Sequence, residues 1–397
     1  MLPNNALSLF RTRQVFVLAL ALVAAARADA AGSTAVDKLI GKLLEKGVLS
    51  SAEATAILSE ARQEAATQPV SQTLPTIVPR GGIGPEEYAR PRRGASNVAT
   101  RSERGILRIG GLVQSWFTAG QPTPDTFRVR RSELKISGDL TDSVYYYAML
   151  DPSKPLVESP QGIIQASRPL QDAYVGARLN GRVFLDLGQF KIPIGKEGRG
   201  SAGRLDFAER AMISRIFGDR RDLGVQFRRA SDEFDFRLAL FNGTELNAND
   251  TNDAKDVAGL VSWHPSSSFE VGVSAYRGRQ GPTLGAKDRM GYDLEWKPDP
   301  RWVLKAELIT ARDQAVRERG WFATAGYTLA TRWQTLVRRE ALERDLSLPN
   351  SVERATTFGL NYFLDAHFSK LQLNYLRNDG RGHTSDDQLV LAMQAAF

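Results

Sequence analysis

The residues best suited to chemistry are cations gathered in and beside one long link, residues 192–220. They are Lys191, Lys196, Arg199, Arg204, Arg210, Arg215, Arg220 and Arg221, with Glu197, Asp206, Glu209 and Asp219 among them. Guanidinium and ammonium groups bind oxyanions through charge-assisted hydrogen bonds, and arginine adds a planar, bidentate fork. Lining a passage, such groups replace an anion's hydration and repel cations. A solvated surface loop of mixed charge is the competing reading. A second cluster is Arg128-Val129-Arg130-Arg131. On a strand, Arg128 and Arg130 share one face, and Arg131 takes the other unless the strand is bulged there or the residue lies at an interface.

Other patterns fail on their surroundings. Gly198-Arg199-Gly200-Ser201-Ala202-Gly203 has GxGxxG spacing, but a dinucleotide site needs a parallel βαβ unit, and the segments that follow read as antiparallel strands. Asp250-Thr251-Asn252-Asp253 with Asp256 resembles a calcium loop, yet it lacks the sixth-position glycine and has Val261 where the twelfth-position glutamate belongs. His264, His367 and His383 are the only histidines, without HExxH spacing, and no GxSxG elbow occurs. The expectation is therefore no catalytic residue, no metal ligand and no cofactor: a chain that is not an enzyme.

The elements that would position the cations are short strands. Period-two segments fall near 105–118, 126–138, 143–151, 171–180, 182–191, 221–230, 234–242, 256–264, 269–277, 289–297, 301–311, 320–330, 332–340, 353–363, 369–378 and 387–397. An even number of about sixteen suits a closed antiparallel barrel. Short turns, such as Asn180-Gly181 and Pro298–Pro300, alternate with longer links at 152–170, 192–220, 243–255, 278–288, 341–352 and 379–386. Trp321, Ala323, Ala325, Tyr327 and Leu329 alternate with smaller or polar residues, as a lipid-facing stripe would. Aromatics near strand ends, at Trp116-Phe117, Tyr145–Tyr147, Trp263, Trp296, Trp302, Trp321 and Trp333, are expected to form interfacial girdles. The last strand stops on Phe397, with Leu389, Leu391, Met393 and Ala395 on its face, which is how outer-membrane barrels usually end; Phe397 is thus expected to serve barrel assembly.

The start of the chain agrees. Arg11 and Arg13 precede an apolar run, Val15 to Ala26, too short for a membrane span, and Ala28-Asp29-Ala30 is a cleavage signal. Residues 1–30 are therefore read as a signal peptide. Residues 31–66 carry helical periodicity (Val36, Leu39, Ile40, Leu43, Leu44) and read as a periplasmic helical or coiled-coil segment. Residues 67–104, with five prolines from Pro69 to Pro91, read as a linker, and 105–397 as the barrel. The 397-residue chain has no cysteine and a net charge of +7. Its mean hydropathy of −0.30 looks soluble, but only alternate barrel residues face lipid. Export removes nucleic acid as a partner for the positive charge.

Several of these stretches resemble the phosphate-selective porin O and P family. They are Phe127–Arg131 with Gly138-Asp139-Leu140, Gly188–Gly195, Glu209-Arg210-Ala211, Asp219–Val225, Phe241-Asn242-Gly243 with Asn252-Asp253 and Lys255-Asp256, Gly326-Tyr327 and the terminal Phe397. The resemblance implies a sixteen-stranded outer-membrane barrel, a homotrimer, and anion passage guided by arginine and lysine. It implies that Lys191 opens an inward loop and that Arg130-Arg131 form the basic run of an early strand. The few late lysines (Lys287, Lys297, Lys305, Lys370) depart from a phosphate-specific lysine cluster.

These readings converge on an outer-membrane diffusion channel for small inorganic anions, phosphate foremost. Its constriction would carry the eight cations of the 192–220 link, and its wall Arg128, Arg130 and Arg131. Its partners would be those anions, membrane lipid, the barrel assembly machinery and two further copies of itself. A weakly selective general porin, an outer-membrane hydrolase and a plugged structural barrel are the alternatives.

Overall fold

The computed structural model describes residues 98–102, 105–120, 124–153, 156–159, 162–165, 169–281, 283–349, 351–379 and 387–397. The signal-peptide and helical expectations, and most of the linker, lie outside them.

Alternating apolar and polar residues form the strands β1 (Val98–Ser102), β2 (Gly105–Gly120), β3 (Thr126–Asp139), β4 (Val144–Leu150), β5 (Leu156–Ser159), β6 (Gly162–Gln165), β7 (Leu170–Asn180), β8 (Val183–Lys191), β9 (Arg221–Ala230) and β10 (Phe234–Phe241). Then come β11 (Asp256–Ser266), β12 (Phe269–Gln280), β13 (Gly285–Trp296), β14 (Trp302–Asp313), β15 (Val316–Ala330), β16 (Trp333–Glu343), β17 (Val352–Asp365), β18 (Ser369–Asn378) and β19 (Asp387–Ala396). The main sheet has 17 strands, of which β1 is a short addition along β2, so sixteen form the ring. All its pairs are antiparallel, and β19 closes on β2. The β5–β6 hairpin stands apart as a two-stranded sheet.

Closure leaves no open edge and sorts side chains by parity. On β10, Phe234, Phe236, Leu238 and Leu240 face outward, while Asp235, Arg237, Ala239 and Phe241 face inward. Phe127 on β3 and Leu187 on β8 are 79% and 67% exposed, as residues of a lipid-facing belt are. Trp263, Trp296, Trp302 and Trp321 lie on that outer surface, several in ring contact with neighbours such as Phe234 and Tyr327. Three girdle expectations are overturned: Trp116, Tyr145 and Tyr147 are buried inside, because each shares strand parity with inward residues such as Gln114 and Met149. Among the described residues no helix is long and apolar enough to cross a membrane.

Two boundaries differ from expectation. The link expected at 278–288 is only a tight turn, because β12 and β13 pair as far as Gln280 and Gly285. Within the range read as linker, Val98–Ser102 is a strand. The chain end stops short beside β2, where the Phe397 and Gly111 backbones exchange hydrogen bonds of 2.9 and 3.1 Å. Below that point the edge of β2 has no partner from β19, and β1 supplies one from Ile109 to Gly105.

The core sits inside the barrel and is made largely by the 192–220 link, which turns inward. Ile192, Ile194, Met212, Ile213 and Phe217 pack against Phe241, Tyr276, Ile309, Phe322 and Leu342 of the wall. Ala202 and Leu205 meet Leu112, and Ala208 meets Trp116. Each such large side chain contributes roughly 1.5–3 kcal/mol, enough to hold the loop against the wall.

Candidate functional site

The inward loop starts at a glycine hinge. Gly195 has φ 64°, in the left-handed region, and a Cβ there would lie 2.2 Å from Glu307 Oε1. Glu307 accepts hydrogen bonds from the Lys196 and Glu197 backbone N–H groups at 2.9 and 3.0 Å, at the start of the one-turn helix Lys196–Arg199. Further on, wall side chains grip the loop backbone. Gln114 and Gln394 donate to the Ala202 and Gly203 carbonyls, Lys370 to Leu205, and both Asn361 and Gln372 to Asp206. Asn374 accepts from Ala208 N–H, and Glu340 from Met212 N–H. These contacts come from β2 and β16–β19, whereas the loop leaves β8 and returns to β9. The loop therefore crosses the lumen and is fastened on the far side.

The eight loop cations have different fates. Lys191 Nζ donates to the Gly198 and Gly200 carbonyls (2.8 and 3.0 Å) and pairs with Asp219 at 2.7 Å. Arg210 donates to Gly200 O at 2.7 Å and faces Asp219 at 3.3 Å. Arg221 makes a two-pronged pair with Asp172, at 3.0 and 3.2 Å. These three converge. Lys196 instead bridges Glu270 and Glu295, both at 2.8 Å, on another part of the wall. Arg199 donates to Gly195 O at 2.7 Å. Arg204, Arg215 and Arg220 are exposed, Arg220 turning back onto Ile216 O.

The β3 cluster points inward as a set. A bulge between the pairs Gln114↔Arg131 and Ser115↔Val129 inserts Arg130 as an extra residue, which returns Arg131 to the lumen face. Of the two exceptions to strict alternation open for Arg131, a bulge and an interfacial position, the bulge is the one present. Arg130 and Arg131 both grip Glu209 of the loop, at 2.6 and 3.1 Å, and Arg128 stacks over Trp116. Burial pushes the Glu209 carboxyl up, but the Arg131 and Arg130 guanidiniums outweigh it and hold its pKa at about 2. Asp219 is likewise raised by burial and lowered more by Lys191, Arg210 and Arg221, ending well below the usual carboxylate range.

Beside the loop lies an open space on the β3–β10 side of the wall. Seven cationic side chains line it, among them Arg131, Arg221, Arg228 and Arg237, against five carboxylates. Arg237 escapes a search for basic runs. Its signal is parity: a lone arginine among the alternating Phe234, Phe236, Leu238 and Leu240 must face the lumen. In the pairs Arg228-Arg229 and Arg338-Arg339, the first member points inward and the second outward. Arg338 joins loop to wall, touching Glu209 O, Glu340 and the Phe207 ring. Among the described residues no group of three or more His, Cys, Asp or Glu is placed to hold a metal ion.

The family model described as phosphate-selective porin O and P matches residues 117–301. Over those residues the chain is similar to this family. Solved structures with the same fold include OmpF of Salmonella typhi in complex with daunomycin, at 10% identity and TM-score 0.56, covering 76% of this porin and 100% of that chain. The anion-selective porin from Comamonas acidovorans has 11% identity and TM-score 0.51, covering 74% of this porin and 100% of the other chain. The trimer form of in-vitro folded OmpT from Vibrio cholerae has 10% identity and TM-score 0.50, covering 74% and 100%. No curated protein matches the sequence. The family match and the barrel fold together support an outer-membrane porin channel.

Proposed function

We propose that this porin is a passive diffusion channel for small inorganic anions, with phosphate the foremost permeant oxyanion. The observation that carries the reading is the excess of arginine and lysine over carboxylate around the open space between the β3–β10 wall and the inward loop. Such a wall offers an anion several successive charge-assisted partners, so that it enters and leaves without being trapped. Arg131, Arg199, Arg221, Arg228 and Arg237 would form the path, Lys191 and Arg210 its loop side, and Arg128 and Arg130 its approach. Lys196 would anchor the loop, and the exposed Arg204, Arg215 and Arg220 would draw anions toward it. The Comamonas neighbour, described as anion-selective, supports the reading.

The channel performs no catalysis in this proposal and needs no cofactor. The trimeric OmpT neighbour and the family support a homotrimer. Cleavage after Ala30, residues 31–66 in the periplasm and recognition of Phe397 by the assembly machinery complete the proposal.

A weakly selective general porin is the second reading, favoured by the close pairing of Lys191, Lys196, Arg130 and Arg131 with carboxylates. Zero-current reversal potential in a planar bilayer under a potassium chloride gradient separates the two. Reversal near the chloride equilibrium potential is expected; reversal near zero would establish the general porin instead.

A further inference from the structure

We infer that the outer face of β12–β18, centred on Arg312 and Arg317, is a docking surface for the phosphate groups of outer-leaflet lipid. Four residues stand side by side across β12–β15: Arg277 is in register with Asp288, Asp288 with Arg312, and Arg312 with Arg317. They share parity with the exposed Val273, Met290, Trp302 and Trp321 on the same strands, so the row faces out of the barrel. A second group flanks it on β16–β18. Arg339 stands opposite Thr356, Thr356 opposite Arg377, and Arg354 follows on the same face of β17, nearer the rim. Both groups lie at the end of the barrel that carries the longer links, which is the extracellular end of such barrels.

The protein does not balance these charges itself. The row holds three arginines to one aspartate, and Arg312 directly opposite Arg317 is a like-charge pair, which destabilises a sheet. Arg277, Arg317, Arg354 and Arg377 make no hydrogen bond or ion pair with any described residue. Arg319 and Arg339 are matched by Glu343 and Asp379, at 2.7 and 2.8 Å. The charge is also confined to one sector. At the same end, β2, β3, β8, β9, β10 and β11 present Phe117, Phe127, Leu187, Leu223, Leu240 and Val257 outward.

Depth in the membrane selects the occupant. On β13, Met290, Tyr292, Leu294 and Trp296 face outward between Asp288 and the short turn after Trp296. That stretch is roughly 25 Å of strand, close to the height of a lipid-facing belt. The arginines therefore lie at the belt's upper edge, where lipid headgroups begin. A phosphate placed between Arg312 and Arg317 receives a guanidinium fork from each side and relieves their repulsion. A second copy of the chain presenting this face would be repelled by it. The inference concerns the outer wall and stands apart from the selectivity of the lumen.

The test is native mass spectrometry of the whole porin in detergent with added diphosphoryl lipid A, set against the same lipid with both phosphates removed. The wild-type porin is expected to hold the phosphorylated lipid at least about ten-fold more tightly. Arg312→Gln combined with Arg317→Gln is expected to remove most of that preference, while the paired change to lysine keeps the charge, loses the forks and retains part of it. Equal retention of the two lipids by the wild type overturns the inference, whether or not the variants fold. An unchanged preference in the glutamine variant overturns it too. Displacement of the bound lipid by millimolar inorganic phosphate would make the row a site for the free ion, and an altered oligomeric state with lipid preference intact would make the face a contact between copies; either result overturns the lipid assignment. Reversal potential is expected to stay the same in every variant, so failure here is read separately from failure of the anion-channel reading.

Discussion

At the residue scale, charge in this porin is used mostly to fasten one part to another. Glu209 holds Arg130 and Arg131 together and ties the inward loop to β3. Its folded-state pKa, about 2, lies below the ordinary value, so the tether is complete above the ordinary carboxylate range and is lost as pH falls from there toward 2. Conductance of the wild-type channel is therefore expected to stay constant down to about pH 5 and to become noisy in strong acid. Glu209→Gln should show that noise at neutral pH, with reversal shifted further toward the chloride potential because two guanidiniums lose their carboxylate. Noise-free current in this variant at pH 7 would refute the tether. The basic runs were readable in the sequence; their partners were not, because Arg130 and Glu209 lie far apart in the chain and meet only when the loop turns inward.

At the element scale, the loop from Ile192 to Arg220 behaves as a structure with its own hinge and clamps. Gly195→Ala places a Cβ against Glu307 at a positive φ and is expected to cost about 1–3 kcal/mol, read as a lower urea midpoint together with a larger, less uniform conductance. Asn361→Ala combined with Gln372→Ala leaves the Asp206 carbonyl without both of its side-chain donors. A loss of about 1–3 kcal/mol is expected, again with an increase in conductance; an unchanged channel would mean that apolar packing alone holds the loop. The strands were legible because period-two alternation survives in nearly every one of them. The direction of Arg131 needed the structure, because a bulge is set by the pairing with β2, and Trp116, expected in a girdle from its place near a strand end, is inside because it keeps the parity of Gln114.

At the scale of the whole molecule, β1 finishes the barrel where β19 stops. Deleting Val98–Ser102 exposes the lower edge of β2 and is expected to lower the temperature at which the folded, heat-modifiable band disappears from a gel, without changing reversal potential. A shift in selectivity on deletion would give β1 a different role. The sequence by itself determined the class of fold, about sixteen strands, a family resemblance and the link that carries the cations, because alternation, turn residues and charge runs are local properties. Only the tertiary structure decided which cations are paired with carboxylates, which of them line the open space beside the loop, and that Asp219 sits at the meeting point of three. The physical reason is that a buried charge is defined by what surrounds it, and barrel closure brings those surroundings from strands remote in sequence.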